Sequence, residues 1–537
     1  MRVQVENTAN EAASPAADPF TPEIRSYIEH LVERFHVPSI SIGIIQHGQT
    51  HLASFGDAHL GQNRATPDSL YYIASLTKSQ TATTLLSVLE DLATGKRPKA
   101  CPSAPDSITL KTKLQALIPE DFALADEYAT AHATLEDALG HRLGVGANDS
   151  IYGGEGYTVR DAVRALRHLP MVAELREKQE YLNMGYMVIQ HVIETLTGKP
   201  IEEAHREYIW GPLGMDSTYP SLQEAKDSGK QLCAGYIYDP LAKRVEKTAH
   251  VNDYPLIGGG GVISSIRDTT AYLHGVMHGT LPLGKDYQEK LLTQLSLDDP
   301  GTPKEHWSHG LYGLGWSQKT YRGRRIVSHT GAINGFNSEL LYLPDAKWAM
   351  AVLSNSSQGF SAWQPLKLRL LDDVLRVPPA ERQPSPEDEL SDKLERSGEH
   401  LATARETIYP HIPNPPLPLP LPLSCYAGTY TSLGHKTLKL TVASPRATTP
   451  VRSGVTEVLR TEFTALGDFV CEMEHVSGDF FLGWEDFTVP AAAARAARRV
   501  QFVLDAEGGV VRMGINFAPA TETGDDSKMT WFDKAWV

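Results

Sequence analysis

Residues 75–95, SLTKSQTATTLLSVLEDLATG, carry the most information about the fold. Their apolar side chains recur at the spacing of one helix face, and a glycine stands where such a helix would stop: Leu85, Leu86, Leu89, Leu92 and Gly95. The pattern predicts a helix whose first turn contains Ser75. Residues three apart share a helix face and are separated by about 4.5 Å along the axis. We therefore expect the Lys78 amine within reach of the Ser75 hydroxyl.

The Ser75 and Lys78 pair suits nucleophilic catalysis. A serine hydroxyl is a poor nucleophile unless a nearby base takes its proton, and a lysine can act as that base only where its surroundings lower its pKa. The start of the helix adds partial positive charge where an oxyanion would form. Taken alone, the pair is better explained as a solvated helix face, because this spacing also arises by chance.

A second candidate is Tyr181-Leu182-Asn183. A phenol beside a cationic amine can be held as phenolate or can relay a proton. The Asn183 carboxamide can orient a lysine and can donate to or accept from a substrate amide. The structural alternative is a tyrosine that packs in a loop ahead of the helix MVIQHVIETLTG.

A third candidate, His329-Thr330-Gly331-Ala332, lies at the end of the predicted strand RRIVSHTG. Glycine here would let a substrate backbone lie against the strand edge. The Ala332 amide could be a second oxyanion donor beside that of Ser75. His329 could be neutral or charged near pH 7, and a lone histidine is more often structural than catalytic.

The order of these motifs, SLTK at 75, YLN at 181 and HTG at 329, resembles the three signatures of the penicillin-recognising serine hydrolases. The most similar branch contains class C β-lactamases, D-alanyl-D-alanine carboxypeptidases, D-aminopeptidases, family VIII esterases and lovastatin-type acyltransferases. Four further segments resemble the same family: the SISIGII hairpin, TLEDALGHRLGV (134–145), IWGPLGMDST (209–218) and GGGGVISSIRDTTAYL (258–273). The resemblance covers residues 24–376.

The resemblance implies a role for each motif. Ser75 is the acyl-accepting nucleophile, and Lys78 deprotonates it or tunes the base. Tyr181 is the general base for acylation and the acid for the leaving group, while Asn183 helps to hold Lys78 and the substrate. The third motif lines the β-strand wall of the cleft and binds substrate: His329, Thr330, Gly331 and Ala332. The implied fold is α+β, a β-lactamase-like antiparallel sheet flanked by helices with an all-helical insert.

Two positions depart from the family pattern. Leu182 stands where the family commonly has serine, which makes this corner more apolar. His329 stands where β-lactamases of the usual type have lysine, a fixed cation suited to a substrate carboxylate, whereas histidine is only conditionally charged. Some carboxypeptidases of the family also carry HTG, so the change disfavours a lactamase without excluding a peptidase.

Other motifs are predicted to be structural. Thr134-Leu135-Glu136-Asp137 resembles a helix capping box. His141 more often ties down a loop at such a position than takes part in chemistry. Residues 258–261, four glycines, lack the strand–helix context of a phosphate site and are explained by close packing of the chain. No cluster has metal-ligand spacing, so neither a metal nor another cofactor is predicted.

The composition divides the chain into four parts. Residues 1–20 are predicted to be a flexible tail, and residues 21–377 the hydrolase domain. Residues 378–423 form a charged and then proline-rich linker, whose PNPPLPLPLPL stretch should be extended and stiff. Proline-rich segments can also bind proline-reading domains. Six short aromatic and β-branched runs predict strands of a small all-β domain, barrel or sandwich, over 424–537: YAGTY, TLKLTV, TEVLRTEF, DFFLGWEDF, RRVQFVLDAEG and VVRMGINFA. Such a domain is similar to the lipocalin-like extension of some family members.

Composition also excludes several classes of function. The 537 residues carry a formal charge of −15, which argues against nucleic-acid binding. No apolar run approaches a membrane-spanning helix, and the start of the chain does not resemble a secretory signal. The four cysteines are far apart in sequence and suggest partly buried thiols in a reduced compartment, so a cytoplasmic location is expected.

Two classes of function remain, an acyl-transfer enzyme and a non-catalytic scaffold on the same fold. The presence of Ser75, Lys78, Tyr181 and Asn183 together favours the enzyme. Our prediction is an esterase or transesterase that acts on a small-molecule ester or thioester, with an acyl carrier as one candidate donor. A D-amino-acid peptidase or β-lactamase, with an amide substrate, is the alternative. The preference rests on the expected location and on family analogy.

Overall fold

The computed structural model describes residues 18–146, 156–251, 257–298, 301–435, 437–464, 468–487, 495–517 and 529–535. The strands ahead of residue 355 are β1 (Ser39–Gln46), β2 (Gln49–His59), β3 (Asn63–Arg64), β4 (Leu70–Tyr72), β5 (Thr218–Tyr219), β6 (Tyr236–Asp239), β7 (Arg244–Lys247), β8 (Ile263–Ser265), β9 (Gln294–Leu297), β10 (Leu311–Gly313), β11 (Ser317–Tyr321), β12 (Arg324–Ile333), β13 (Phe336–Leu343) and β14 (Trp348–Ser354).

The helices of the same region surround these strands. They are α1 (Pro22–Arg34), α2 (Thr77–Ala93), α3 (Leu114–Leu117), α4 (Glu127–His132), α5 (Leu135–Leu139), α6 (Val159–Ala165), α7 (Asn183–Thr197), α8 (Ile201–His205), α9 (Leu222–Asp227), α10 (Ile266–His278), α11 (Lys285–Leu291) and α12 (Gly359–Val374). Shorter helical turns lie at Ala74–Leu76, Leu166–His168, Arg206–Trp210 and Pro344–Ala346.

Nine strands form one antiparallel sheet in the order β3-β2-β1-β14-β13-β12-β11-β10-β9. β4, β8 and β5 form a small second sheet, and β6 pairs with β7. The central strands β1, β13 and β14 are buried along almost their whole length, because the sheet is covered on both faces. Helices α1 and α12 cover one face, and α2, α7 and α10 belong to the core on the other. This arrangement confirms the predicted β-lactamase-like α+β fold.

The local predictions hold for the long periodic segments. The SISIGII segment forms the hairpin β1–β2, which turns at His47–Gly48. The shorter strands β10 and β11 are separated by a turn at Gly315, whose φ of 78° suits glycine.

The C-terminal region forms a closed eight-stranded barrel, β15-β16-β17-β18-β19-β20-β21-β22. Its strands are β15 (Gly428–Thr431), β16 (Leu438–Ala443), β17 (Val458–Thr464), β18 (Asp468–Ser477), β19 (Phe480–Phe487), β20 (Arg495–Leu504), β21 (Val510–Asn516) and β22 (Met529–Lys534). The predicted all-β domain is therefore confirmed as a barrel. The sequence identified six of the strands and missed β18 and β22.

β18 was missed because it carries glutamates at positions that the fold buries. Glu472 and Glu474 point out of the barrel but are covered, and both are fully buried. Arg405 and Arg452 bond to Glu474, while Arg460 bonds to Glu472. A strand with buried carboxylates does not show the usual alternation of apolar and polar residues.

The linker contains the helices α13 (Glu387–Glu395), α14 (Glu399–Ala402) and α15 (Ala404–Ile408). Helix α13 lies against α1, with Glu387 bonded to Tyr27 and His30, and α14 and α15 contact β20. Residues 410–422 then follow the barrel without regular secondary structure. Their leucines alternate with exposed prolines, and Leu419 and Leu421 pack against the barrel core. The limits predicted for the four parts of the chain stay predictions.

Two further expectations concern the chemistry of the chain as a whole. No helix among the described residues is long and apolar enough to cross a membrane. All four cysteines are free: Cys233 and Cys471 are buried, Cys101 is half-buried and Cys425 is exposed. The expectation of four partly covered thiols is therefore wrong for Cys425.

Candidate active site

Ser75 lies in a short 3-10 turn, Ala74–Leu76, that leads directly into α2. The backbone at the start of this turn is left-handed, with φ of 48° at Ala74. That conformation costs a residue with a side chain about 1–2 kcal/mol. Thr77 Oγ1 donates to the Ala74 carbonyl at 2.8 Å and holds the turn. The strained turn places a half-buried Ser75 at the start of the buried helix, as strain often does at functional sites.

Lys78 is fully buried, and its ammonium donates to three oxygen atoms. These are Ser75 Oγ at 3.0 Å, Asn183 Oδ1 at 2.6 Å and the Gly259 carbonyl at 2.6 Å. Three acceptors match the three N–H bonds of a lysine ammonium. Lys78 Nζ also lies 4.9 Å from the ring centroid of Tyr181, where the ring face attracts a cation. The helical spacing predicted this approach of Lys78 to Ser75, and the structure shows it.

The glycine run contributes to the site through its backbone. Besides the bond from Lys78 to Gly259, Thr81 Oγ1 donates to the Gly258 carbonyl at 2.8 Å. The Gly258 amide in turn donates to Gln190 Oε1 at 2.9 Å. A side chain at Gly258 would approach the Tyr186 carbonyl to 2.9 Å. The expectation of close packing is thus correct. The acceptor for Lys78 could not be predicted from the sequence, because a carbonyl oxygen has no side-chain signature.

The Tyr181-Leu182-Asn183 segment stands at the start of α7, whose first residue is Asn183. Tyr181 is 39% exposed, whereas Leu182 is buried. The tyrosine thus faces the cleft while its neighbour anchors the segment in the core. Asn183 holds Lys78 through its carboxamide oxygen.

His141 forms the floor under this segment. It is only 1% exposed, and its ring centroid lies 4.2 Å from that of Tyr181 and 4.9 Å from that of Tyr312. The Leu182 amide donates to His141 Nδ1 at 3.1 Å. Burial, and then the charge of Lys78, hold the pKa of His141 well below its usual value. The sequence predicts that His141 ties down a loop, and no sequence pattern indicates its contacts with Tyr181 and Leu182.

His329 is buried and engaged at both ring nitrogens. Its Nδ1 donates to the Thr330 carbonyl at 2.6 Å, so Nε2 accepts from the Tyr312 hydroxyl at 3.0 Å. Burial, followed by the nearby charge of Lys78, lowers the pKa of His329 to about 3. Of the two charge states that the sequence allowed, the structure therefore selects the neutral one, and His329 offers no cation to a substrate.

The third motif approaches the nucleophile at Gly331. A Cβ atom there would lie 2.5 Å from the Ile73 carbonyl and 3.1 Å from the Ser75 amide nitrogen. Only glycine allows strand β12 to lie this close to the serine turn. Ser338 Oγ on the neighbouring strand donates to the Ile73 carbonyl at 2.8 Å and fixes the contact. The residues on either side of Gly331, Thr330 and Ala332, are exposed. Their role in binding substrate stays a prediction.

The structure therefore brings together residues from distant parts of the sequence: Ser75, Lys78, Tyr181, Asn183, His329 and Gly331. A hydroxyl bonded to a buried ammonium, with the half-exposed Tyr181 ring 4.9 Å from the same ammonium by its centroid, can perform nucleophilic acyl transfer. Among the described residues no group of histidine, cysteine and acidic side chains could hold a metal ion.

A model of the family described as Beta-lactamase matches residues 24–372, more than half of the chain. The chain belongs to this family. The resemblance seen in the three motifs is confirmed, and the protein is a β-lactamase-like serine hydrolase. A second model, a domain of unknown function called DUF3471, matches residues 413–534, which include the barrel.

Two relatives are called unguisins hydrolases. The protein from Aspergillus campestris is 32% identical over 436 residues, which cover 79% of this chain and 78% of the relative. The protein from Aspergillus violaceofuscus is 30% identical over 536 residues, which cover 96% and 90%. Other relatives are more distant, such as penicillin-binding protein 4 of Amycolatopsis lactamdurans, 24% identical over 69% of this chain and 98% of the relative.

Solved structures share the fold. The octameric penicillin-binding protein homologue from Pyrococcus abyssi has a TM-score of 0.56 at 20% identity and covers 95% of this chain and 99% of its own. The D-amino acid amidase from Ochrobactrum anthropi, complexed with L-phenylalanine amide, has a TM-score of 0.52 at 22% identity and covers 66% and 98%. At these identities the likeness concerns the β-lactamase family fold.

Proposed function

We propose that this protein hydrolyses a small neutral molecule through an acyl-enzyme on Ser75. The observation that carries the proposal is the buried Lys78 ammonium, which holds Ser75 Oγ at 3.0 Å and Asn183 Oδ1 at 2.6 Å. A non-catalytic scaffold does not need a buried cation beside a half-exposed serine. The fold and the family membership support a hydrolase in general, and the roles of the individual residues are our assignment.

In the proposed acylation step, Ser75 Oγ attacks the scissile carbonyl carbon. Because Lys78 already donates to three oxygens, we assign the proton of Ser75 to the phenolate of Tyr181, which lies beside the same cation. The new O–C bond forms, the bond to the leaving group breaks, and Tyr181 returns the proton to the leaving group. Water then attacks the acyl carbonyl carbon and gives a proton to Tyr181. The bond from that carbon to Ser75 Oγ breaks, Tyr181 returns the proton to Ser75 Oγ, and the carboxylic acid leaves.

The charge of the cleft wall restricts the substrate. His329 is neutral and both its nitrogens are engaged, so the third motif supplies no cation for a free carboxylate beside the scissile bond. We therefore propose a substrate that is uncharged at this position. The two relatives at 30% and 32% identity are named for the hydrolysis of unguisins, and we propose an unguisin or a closely similar small molecule as the natural substrate.

The second candidate is hydrolysis or transesterification of a small ester or thioester. Leu182 is buried and makes the corner beside Tyr181 apolar, and an ester leaving group needs less protonation than an amide nitrogen. An acyl carrier as donor and a cytoplasmic location stay predictions under both candidates.

One substrate panel tests both candidates. We expect the purified protein to hydrolyse an unguisin and short p-nitrophenyl esters, and to turn over nitrocefin with a kcat/KM at least about 100-fold lower than for the best ester, which corresponds to roughly 2.7 kcal/mol. Labelling by a fluorophosphonate, followed by peptide mapping, should place the adduct on Ser75. Nitrocefin turnover equal to that of the best ester, or a label on another serine in active protein, would overturn the proposal.

A further inference from the structure

One histidine outside the three motifs holds Tyr181 from both sides. The Glu180 amide donates to the His141 carbonyl at 2.8 Å, and the Leu182 amide donates to His141 Nδ1 at 3.1 Å. Tyr181 lies between these two anchored residues, with its ring 4.2 Å from the imidazole by their centroids. A single residue thus fixes the backbone and one ring face of the tyrosine.

The proton position on His141 follows from this contact. A backbone N–H can only donate, so Nδ1 must be the acceptor and a neutral ring carries its proton on Nε2. That nitrogen is buried and has no hydrogen-bond partner in the described part of the chain. A protonated ring would lose the bond to Leu182 and would place a second cation near Lys78, which already lies against the Tyr181 ring.

This arrangement has a considerable energetic cost. His141 has φ of 56°, in the left-handed region, which is unfavourable for a non-glycine residue. Its buried Nε2 donor without a partner adds a desolvation cost that no hydrogen bond offsets. A residue needed only to close a loop could avoid both costs, for example as an exposed glycine. The concentration of both costs directly under Tyr181 points to a function.

We propose that His141 is a positioning residue, whose Nδ1 acceptor and carbonyl hold Tyr181 in the place from which it transfers protons. The inference rests on the proposed function of Tyr181. His141 does not touch the reacting atoms, and its effect passes through the main chain at positions 180 and 182.

Two substitutions separate positioning from packing. His141→Asn keeps an acceptor at the place of Nδ1, and asparagine tolerates the left-handed backbone. His141→Leu keeps much of the volume and removes the acceptor. We expect His141→Leu to lower kcat by about 10–100-fold, the usual range for loss of a supporting hydrogen bond, with KM changed less than about threefold. We expect His141→Asn to retain at least about one third of the wild-type kcat, because it keeps the supporting hydrogen bond.

The leaving group supplies a measurement that a merely structural role would not affect. A displaced Tyr181 should protonate a poor leaving group badly, whereas p-nitrophenolate needs little protonation. The loss in His141→Leu should therefore be at least about fivefold greater for an alkyl ester than for the p-nitrophenyl ester of the same acid. His205→Leu is the matched control, because His205 is equally buried but bonds to Thr84 away from the cleft. It should leave the ratio of the two esters unchanged.

Three outcomes would overturn the inference. Equal losses for both esters would show that His141 only supports the fold. A His141→Asn variant as slow as His141→Leu, with both variants unfolding at a similar temperature, would show that the Nδ1 acceptor is not what matters. The third outcome concerns the double variant His141→Leu/Tyr181→Phe. If Tyr181→Phe is slow and adding His141→Leu lowers kcat further by the same factor as in the wild-type background, His141 does not act through Tyr181. If Tyr181→Phe itself is fully active, the proposed function fails instead.

Discussion

The active-site cleft and the outer wall of the barrel both bury a charged side chain among several partners. In the barrel, Glu474 accepts from Arg405, Arg452 and Trp484. In the cleft, Lys78 donates to Ser75, Asn183 and Gly259. Both charges are fully buried, and both would be costly if their partners were removed.

The two regions differ in what their partners can do. The partners of Glu474 belong to α15, to the loop before β17 and to β19, so its charge holds the linker and a loop against the barrel. One partner of Lys78 is the half-buried hydroxyl of Ser75, and the same ammonium lies close to the half-exposed ring of Tyr181. The same physical arrangement therefore supplies stability in the barrel, and in the cleft it holds reactive groups where a substrate can meet them. The predictions below test this difference, beginning with the largest effect.

Ser75→Ala should abolish the chemistry and leave the fold intact. We expect kcat/KM for the best ester to fall at least about 10⁴-fold, as for other serine nucleophiles, and fluorophosphonate labelling to disappear. Ser79→Ala is the control, since Ser79 lies four residues further along and its hydroxyl donates to the Leu76 carbonyl. Retention of labelling in Ser75→Ala would refute the assignment of the nucleophile.

Lys78→Ala and Tyr181→Phe should each slow acylation by about 10²–10³-fold, the scale of a lost proton-transfer group. Because both groups serve one proton transfer, the double variant should be little slower than the slower single one. Tyr186→Phe is the control, since its hydroxyl bonds to the Leu139 carbonyl. Pre-steady-state kinetics of the p-nitrophenol burst measure the rate, and a double loss equal to the product of the single losses would rule out coupling.

Glu474→Gln should affect stability and spare the chemistry. Loss of this charge leaves two arginines without their partner, and we expect the free energy of unfolding of the barrel to fall by about 2–3 kcal/mol. Chemical denaturation measures this change. At denaturant concentrations below the unfolding transition, kcat/KM should stay within about twofold of the wild-type value, because the substitution does not touch the active site. Glu462→Gln, an exposed change on β17, is the matched control. A large loss of activity in folded Glu474→Gln protein would show that the barrel completes the site.

The neutral state of His329 predicts a pH dependence of stability. Its pKa is lowered to about 3 in the folded protein, so between pH 6.5 and pH 3 the unfolded chain binds a proton that the folded chain does not. Stability should therefore fall as the pH falls through this range, by about 1.4 kcal/mol per pH unit for this group. His329→Asn removes the group, and its free energy of unfolding should fall less steeply from pH 7 to pH 5.5, by about 1 kcal/mol.

The control for this experiment is His47→Asn, because His47 is exposed in a hairpin turn. It should follow the wild-type profile. Urea unfolding at several pH values gives the comparison, and identical slopes for His329→Asn and the wild type would mean that His329 is charged in the folded protein.

The sequence located the parts of the site whose chemistry is local. Ser75 and Lys78 are one helical turn apart, so their approach follows from helical geometry. The approach of Gly331 to the Ser75 amide was suggested by motif order and by resemblance, because no local pattern measures a distance between residues 256 positions apart.

The sequence could not supply contacts made by the backbone or across the fold. The Gly259 carbonyl and the Leu182 amide have no side-chain signature, although they bind Lys78 and His141. The charge of His329 was left open because its pKa depends on burial and on Lys78, which only the folded chain defines. In the barrel, Glu474 concealed β18 for a related reason, since its arginine partners lie on distant segments.

The proline-rich residues 410–422 have a consequence for proteolysis. They connect two folded regions, and such connectors are usual sites of proteolytic cleavage. In the structure the Leu417 amide donates to Ser477 Oγ, and the Leu417 carbonyl accepts from the Gly478 amide. Leu419 and Leu421 pack on the barrel core, so the backbone cannot enter a protease cleft without leaving the barrel. Limited digestion should therefore not release the barrel by a cut within this stretch.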